Sequence, residues 1–134
     1  MIYFDTNILI YFTIDQGDEK LQKSRDVIFE AIENETFFIT PLVLSEYIFV
    51  LSKLKILEQH QDKIELFSQY ITVSIDKNIV MEAYELCKKI DFCKNINDAI
   101  HLTIAQKHCS KLITFDSDFK KLEKFSRVEI EVLK

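Results

Sequence analysis

The sequence predicts an α/β fold: a central, mostly parallel sheet of about five strands, covered by helices in a three-layer α/β/α arrangement. Three observations predict it. Short apolar, β-branched runs alternate along the chain with segments of helical apolar spacing, and crossovers between parallel strands place helices over the sheet. One glycine and one proline in 134 residues leave little turn chemistry for arrays of hairpins. Hydrophobic residues at 48%, against 29% charged, supply enough apolar surface to offset the entropy of ordering. The length fits one domain over residues 1–134 with a single core.

Met1 to Phe4 is an apolar run that stops at Asp5-Thr6-Asn7, the pattern of a strand passing into a helix. After the apolar stretch Ile8 to Phe12 and the polar Asp15 to Lys20, residues Leu21, Val27, Ile28, Ala31 and Ile32 recur at near-helical spacing. They predict an amphipathic helix. Thr36 to Thr40 is β-branched and aromatic, which reads as a second strand. Pro41 then stands where the first turn of a helix tolerates a missing N–H, opening a helix to about Leu57. Leu66 to Ile75 mixes helix and strand character, and Tyr70 to Ile75 is read as a third strand. Asp76 or Asn78 can cap a helix through Cys87 to Ile90, and Asn95 or Asn97 one to about Cys109. Lys111 to Thr114 reads as a strand, Asp116 to Leu122 as a short helical turn, and Val128 to Leu133 as a last strand. The alternation of apolar and charged residues in that last strand suits a sheet edge.

The formal net charge of −5 argues against nucleic-acid binding through overall positive charge, while leaving room for a local basic surface. Lys88, Lys89, Lys94, Lys107 and Lys111 could form such a surface, although a solvated helix face accounts for them equally well. Cys87, Cys93 and Cys109 lack the short paired spacings of zinc sites or redox dithiols and read as reduced thiols. Asp5 and Asn7 interrupt the apolar N-terminus and no basic stretch precedes it. Neither a signal peptide nor a spanning helix is therefore expected, and the expected location is cytoplasmic. A single glycine excludes a glycine-rich phosphate loop.

Open sheets of this class bind ligands beyond the carboxyl ends of their strands, where Asp5 and Asp116 fall. Asp5 also fits as a plain helix cap. Glu46 is the only acid between Thr36 and Leu57, in the apolar setting of Leu42, Val43, Leu44, Ile48 and Phe49. A carboxylate there needs a partner: a lysine nearby, a hydrogen-bond network or a cation. Asp98 opens a helix, where the macrodipole favours an acid. Asp116 and Asp118 can each cap the turn that follows them, a role that suits Asp118 better. Taken as a set, these acids repel one another unless a cation sits among them. Oxygen donors without spaced histidines or cysteines suit Mg²⁺ or Mn²⁺ rather than zinc. The chemistry such a centre supports is hydrolysis of a phosphodiester. His101, three residues beyond Asp98, reads as a packed or rim histidine and is left out of the site.

The order of these motifs resembles the PIN-domain family, and within it the short ribonuclease toxins of the VapC type. The resemblance rests on Asp5-Thr6-Asn7, Ser45-Glu46, Asn97-Asp98-Ala99-Ile100-His101, and Thr114-Phe115-Asp116-Ser117-Asp118-Phe119. It implies a PIN-like sheet flanked by helices, with Asp5, Glu46, Asp98 and Asp116 around one or two Mg²⁺ or Mn²⁺ ions. Thr6, Asn7 and Thr114 match positions that support those acids, and Asp118 stands beside Asp116 as a support or an alternative fourth acid. The activity implied is endoribonuclease cleavage of RNA such as tRNA or mRNA, in a homodimer silenced by an antitoxin that enters the acidic cleft. A housekeeping RNA-processing nuclease and a non-catalytic binding module are the other readings; loss of one or more acids would mark the latter.

Overall fold

The computed structural model describes residues 1–90 and 95–134; Cys93 and Lys94 lie outside them. Strand β1 (Ile2–Phe4) runs into α1 (Thr6–Thr13) and α2 (Lys20–Glu33), followed by β2 (Phe37–Phe38) and α3 (Pro41–Lys53). Helices α4 (Gln61–Ser68), α5 (Lys77–Lys89) and α6 (Ile96–His108) lead to β3 (Lys111–Thr114), a 3-10 turn (Ser117–Phe125) and β4 (Glu129–Val132). Polar side chains start α3, α5 and α6, the last two at Asp76 and Asn95 as the sequence predicts. The Thr40 hydroxyl accepts from Val43 N (3.2 Å) ahead of Pro41, Asp76 accepts from Ile79 N (3.0 Å), and Asn95 accepts from Asn97 N (2.9 Å). Each satisfies an N–H that the helix itself leaves open.

Among the described residues the sheet has four strands in the order β2-β1-β3-β4, every pairing parallel, with Ile2 opposite both Phe37 and Lys111, and Lys111 opposite Glu129. The edge position expected of the last strand is found. The expected third strand, Tyr70 to Ile75, is not a member of the sheet; it touches it through one isolated bridge, Ile71 to Ile39. The reason lies in its would-be partner. Thr40 turns the chain into α3 immediately after Ile39, so β2 offers no length against which a fifth strand could pair. The segment keeps the exposure alternation of a strand, the signal that misled the reading.

One helix boundary and one helix also differ from expectation. Helix α3 stops at Lys53 rather than about Leu57, because Lys55 adopts a left-handed φ of 61° and Ile56 N reaches back to Leu51 O (3.0 Å) while Lys55 N bonds Ser52 O (3.0 Å). This paired closure satisfies the last carbonyls and ends the helix. Helix α4 has no counterpart in the sequence reading: it buries one residue, Phe67, and so leaves little periodic trace.

Both faces of the central strands are covered, with Tyr3, Phe4, Leu112 and Phe37 in one continuous core, which explains their unbroken apolar runs. Helix α1 packs on α2 and α3, and α5 on α6. Phe67 lies edge-on to Phe12 and Tyr47, with centroids 5.7 and 5.5 Å away, pinning α4 to α1 and α3. Cys87 is disulfide-bonded, so the reading of reduced thiols fails for it; Cys109 is a free thiol that burial pushes up to about 12. Among the described residues, no helix is long and apolar enough to cross a membrane.

The chain leaves β1 for β2 on one side and returns to β3 on the other. The loops after β1 and β3 therefore diverge and leave a crevice at their carboxyl ends.

Candidate active site

Asp5 and Thr114 flank that crevice. Asp5 continues the ladder by donating its N–H to Ile113 O (3.0 Å), and its side chain then serves two purposes. Its Oδ1 accepts from Thr6 N (2.8 Å), capping α1, while Oδ2 accepts from Thr114 Oγ1 (2.7 Å) and Asn7 Nδ2 (3.3 Å). The cap reading and the cluster reading of this residue describe the same conformation. Thr114, fully buried, gives its proton to Asp5 and accepts from Asn7 Nδ2 (3.2 Å) and Asp116 N (2.9 Å). Asn7 closes the link by accepting from Phe115 N (3.1 Å). Burial raises the Asp5 carboxyl above its ordinary range; the His101 charge and the bonds from Thr114 and Thr6 oppose the rise.

Glu46 comes from the second turn of α3. Its Oε1 accepts from Thr6 Oγ1 (2.7 Å) and His101 Nε2 (2.8 Å), and its Oε2 from Asn97 Nδ2 (3.2 Å). Burial acts to raise its carboxyl, but the His101 bond and charge, with the bonds from Thr6 and Asn97, outweigh burial and hold it below the ordinary value. The partner that the sequence demanded is thus His101 with Thr6 and Asn97, not a lysine. His101 itself is fully buried. Its partner stands 55 positions away in sequence, so nothing local announces the bond, and only the buried stretch Ala99 to Ala105 around it marks it as a residue outside solvent.

Asp98, in the first turn of α6, is the exception among the acids. Among the described residues no hydrogen bond reaches its carboxylate. Burial raises it to about 6, and the charges of Asp5, Asp116 and Glu46 add to the rise against the opposing His101. Asp116 is therefore near enough to act on Asp98. It also caps the 3-10 turn, its Oδ1 accepting from Asp118 N (2.9 Å), which reverses the capping role expected of Asp118. Asp118 is exposed and lies 3.7 Å from Lys121; its contact with the cluster is made by its backbone.

Asp5, Glu46 and His101 each offer a ligand atom within 4.8 Å of the others. His101 is not a vacant ligand, since Nε2 meets Glu46 and Nδ1 meets the Tyr3 hydroxyl. The site offers carboxylate oxygen, and one acid, Asp98, has no hydrogen-bond partner for its carboxylate among the described residues and is disfavoured as an anion. That donor set fits a hard divalent cation such as Mg²⁺ or Mn²⁺ and gives no soft donor for zinc.

These shifts set a pH dependence. Asp5, Asp98 and His101 are raised on folding, so each adds stability at low pH that is lost as pH rises through its folded value, for Asp98 about 6. Glu46 is lowered from 4.5, so its contribution is present above that value and lost as pH falls. In the metal-free protein Tm is therefore expected to fall as pH rises from 3.8 to about 6, the window between the ordinary and the folded value of Asp98. Mn²⁺ should remove the fall. Calorimetric Tm against pH, in EDTA and in Mn²⁺, checks this; a flat EDTA profile across that range would contradict the electrostatics described.

Of the lysines marked in the sequence, Lys88 pairs with Glu85 (3.0 Å), Lys107 with Glu82 (3.0 Å) and Lys111 with Glu131 (2.7 Å). Lys120, Lys121 and Lys124 are exposed instead on the turn that follows Asp116, where they form a basic strip.

The family model of the PIN domain matches residues 2–125. No curated protein matches the sequence. Among solved structures, the chain is similar to VapBC2 from Rickettsia felis bound to a DNA fragment from their promoter, at 23% identity and TM-score 0.72, covering 100% of both chains. It is also similar to a toxin–antitoxin complex from Klebsiella pneumoniae, at 24% identity and TM-score 0.64, covering 96% of this chain and 95% of that one.

Proposed function

Because the chain belongs to the PIN-domain family, we propose that it is a metal-dependent endoribonuclease, the toxin of a type II toxin–antitoxin pair. The observation that carries the nuclease reading is Asp98, a carboxylate without a hydrogen-bond partner among the described residues and raised to about 6 by burial and by the charges of Asp5, Asp116 and Glu46. In this reading Asp5 and Asp98 hold the principal Mg²⁺ or Mn²⁺, and Glu46 and Asp116 complete the cluster. Such a cation, when bound, neutralises charge on the scissile phosphate and makes water a better nucleophile.

The remaining work falls to the chain's own groups. Thr114 and Asn7 fix Asp5 on the rim, and Thr6, His101 and Asn97 fix Glu46. Pre-set carboxylates lose little reorganisation energy when the reaction develops charge. Lys120, Lys121 and Lys124 beside Asp116 supply the positive strip that an RNA backbone needs in a protein of net charge −5. The fold shared with two toxin–antitoxin complexes supports a protein antitoxin as partner, and we read the active form as a cytoplasmic homodimer.

Incubation of purified protein with a mixed RNA pool tests the activity. Cleavage is expected with Mg²⁺ or Mn²⁺ and none with EDTA; absence of cleavage under every metal, with the fold verified by circular dichroism, would count against a nuclease. Induced expression tests the toxin. Growth arrest relieved by a small co-encoded protein is the expected result, whereas unimpeded growth by a nuclease active in vitro would favour a housekeeping enzyme of RNA processing.

A further inference from the structure

The hold on Glu46 is anchored well outside the crevice. His101 Nε2 lies 2.8 Å from Glu46 Oε1, and a carboxylate can only accept, so this ring nitrogen carries a proton. The other ring nitrogen, Nδ1, meets the Tyr3 hydroxyl at 2.5 Å. That hydroxyl meets Thr40 Oγ1 at 3.1 Å, and Thr40 Oγ1 accepts from Val43 N at 3.2 Å. Tyr3, Thr40 and His101 are all fully buried. A charged imidazole donates through Nδ1 to Tyr3; with the imidazole neutral, Thr40, which already accepts from Val43, can give its proton to Tyr3, Tyr3 to His101 and His101 to Glu46. Every donor then has an acceptor, and all bonds run the same way. The chain leaves α3 at its cap, crosses β1 and α6, and returns to α3 at Glu46.

Packing does not account for the hydroxyl of Tyr3. Its ring lies 5.9 Å from Phe38 and edge-on to His101 at 5.6 Å, and its neighbours Phe4, Phe37 and Phe38 fill the same core without a polar atom. A phenylalanine would pack equally well and would avoid burying an O–H. What the oxygen adds is a partner for His101.

We infer that Tyr3 and Thr40 are positioning residues of the proposed reaction: through His101 they set where the Glu46 carboxylate points, although neither reaches the substrate. The inference rests on the metal-dependent nuclease reading of the crevice. Groups that orient a metal-binding side chain from behind change metal affinity or turnover about 10- to 100-fold when removed.

Tyr3→Phe keeps the ring and removes the oxygen; His101→Gln keeps an N–H for Glu46 but loses Tyr3. Mn²⁺ affinity by titration calorimetry, and kcat and KM on RNA, are measured well below each variant's Tm. Tyr3→Phe is expected to weaken Mn²⁺ binding and lower kcat about 10- to 100-fold with KM for RNA unchanged, His101→Gln to match it, and His101→Phe to lose more. If Tyr3→Phe lowers Tm alone and keeps wild-type Mn²⁺ affinity and kcat, the hydroxyl is structural and the inference is overturned. Wild-type protein that neither binds Mn²⁺ nor cuts RNA overturns the nuclease reading instead, before any variant is compared.

Discussion

Asp98→Asn is expected to abolish RNA cleavage while making the metal-free protein more stable at neutral pH. The two effects share one cause. The Asp98 carboxylate is raised to about 6 by burial and by the charges of Asp5, Asp116 and Glu46, so at neutral pH the folded protein carries an anion it disfavours. Asparagine keeps the shape and removes the charge. The substitution forfeits a favourable first-turn interaction with the α6 macrodipole, at most about 1 kcal/mol, but the upward shift shows that repulsion and burial outweigh that interaction. No hydrogen bond to the carboxylate is lost among the described residues. A net gain of about 1 kcal/mol would raise Tm by roughly 3–5 °C. Activity moves the other way, because the same charge would hold the cation: loss of about 10²–10³-fold or more is expected in turnover, with weaker Mn²⁺ binding. Wild-type cleavage and Mn²⁺ affinity in Asp98→Asn would remove Asp98 from the site altogether.

Thr114→Val is expected to damage both stability and activity. The Thr114 hydroxyl donates to Asp5 (2.7 Å) and accepts from Asn7 (3.2 Å) and Asp116 N (2.9 Å), and the side chain is fully buried. Valine has the same shape, so no cavity forms and the loss is polar. It strips a charge-assisted bond from a buried carboxylate and leaves a backbone N–H to find water, together about 3 kcal/mol. Urea unfolding should show a lower midpoint at unchanged slope. With Asp5 released on that side, turnover should fall about 10- to 100-fold. Thr114→Ser, which keeps the hydroxyl, should recover most of both. Unfolding of the valine variant within 0.5 kcal/mol of wild type, a value typical of featureless surface changes, would mean the three bonds are worth little.

Contrast between neighbouring positions explains what the sequence could reveal. β1 and β3 were legible because strands buried on both faces must be apolar throughout, as Tyr3, Phe4, Leu112 and Ile113 are. The cap residues were legible because capping is local chemistry, except that Asp116 and Asp118 compete for one turn and only the geometry decides between them. Tyr70 to Ile75 was misread because alternation reports exposure, not pairing, and its partner ends at Ile39. Glu46 announced itself as an acid out of place; its partner did not, since the His101 bond joins helices distant in sequence. The disulfide at Cys87 left no mark in the sequence, because the spacings of zinc sites and redox dithiols do not describe it.

Neither edge of the sheet invites another strand. On one side β2 is two residues long and bridged by Ile71. On the other, β4 presents Glu129 to solvent and ties Glu131 to Lys111 (2.7 Å), and charge of this kind discourages backbone-to-backbone addition. Addition of extended peptides or misfolded copies is thereby disfavoured at both edges, which leaves helix faces and the crevice as the surfaces better suited to recognition.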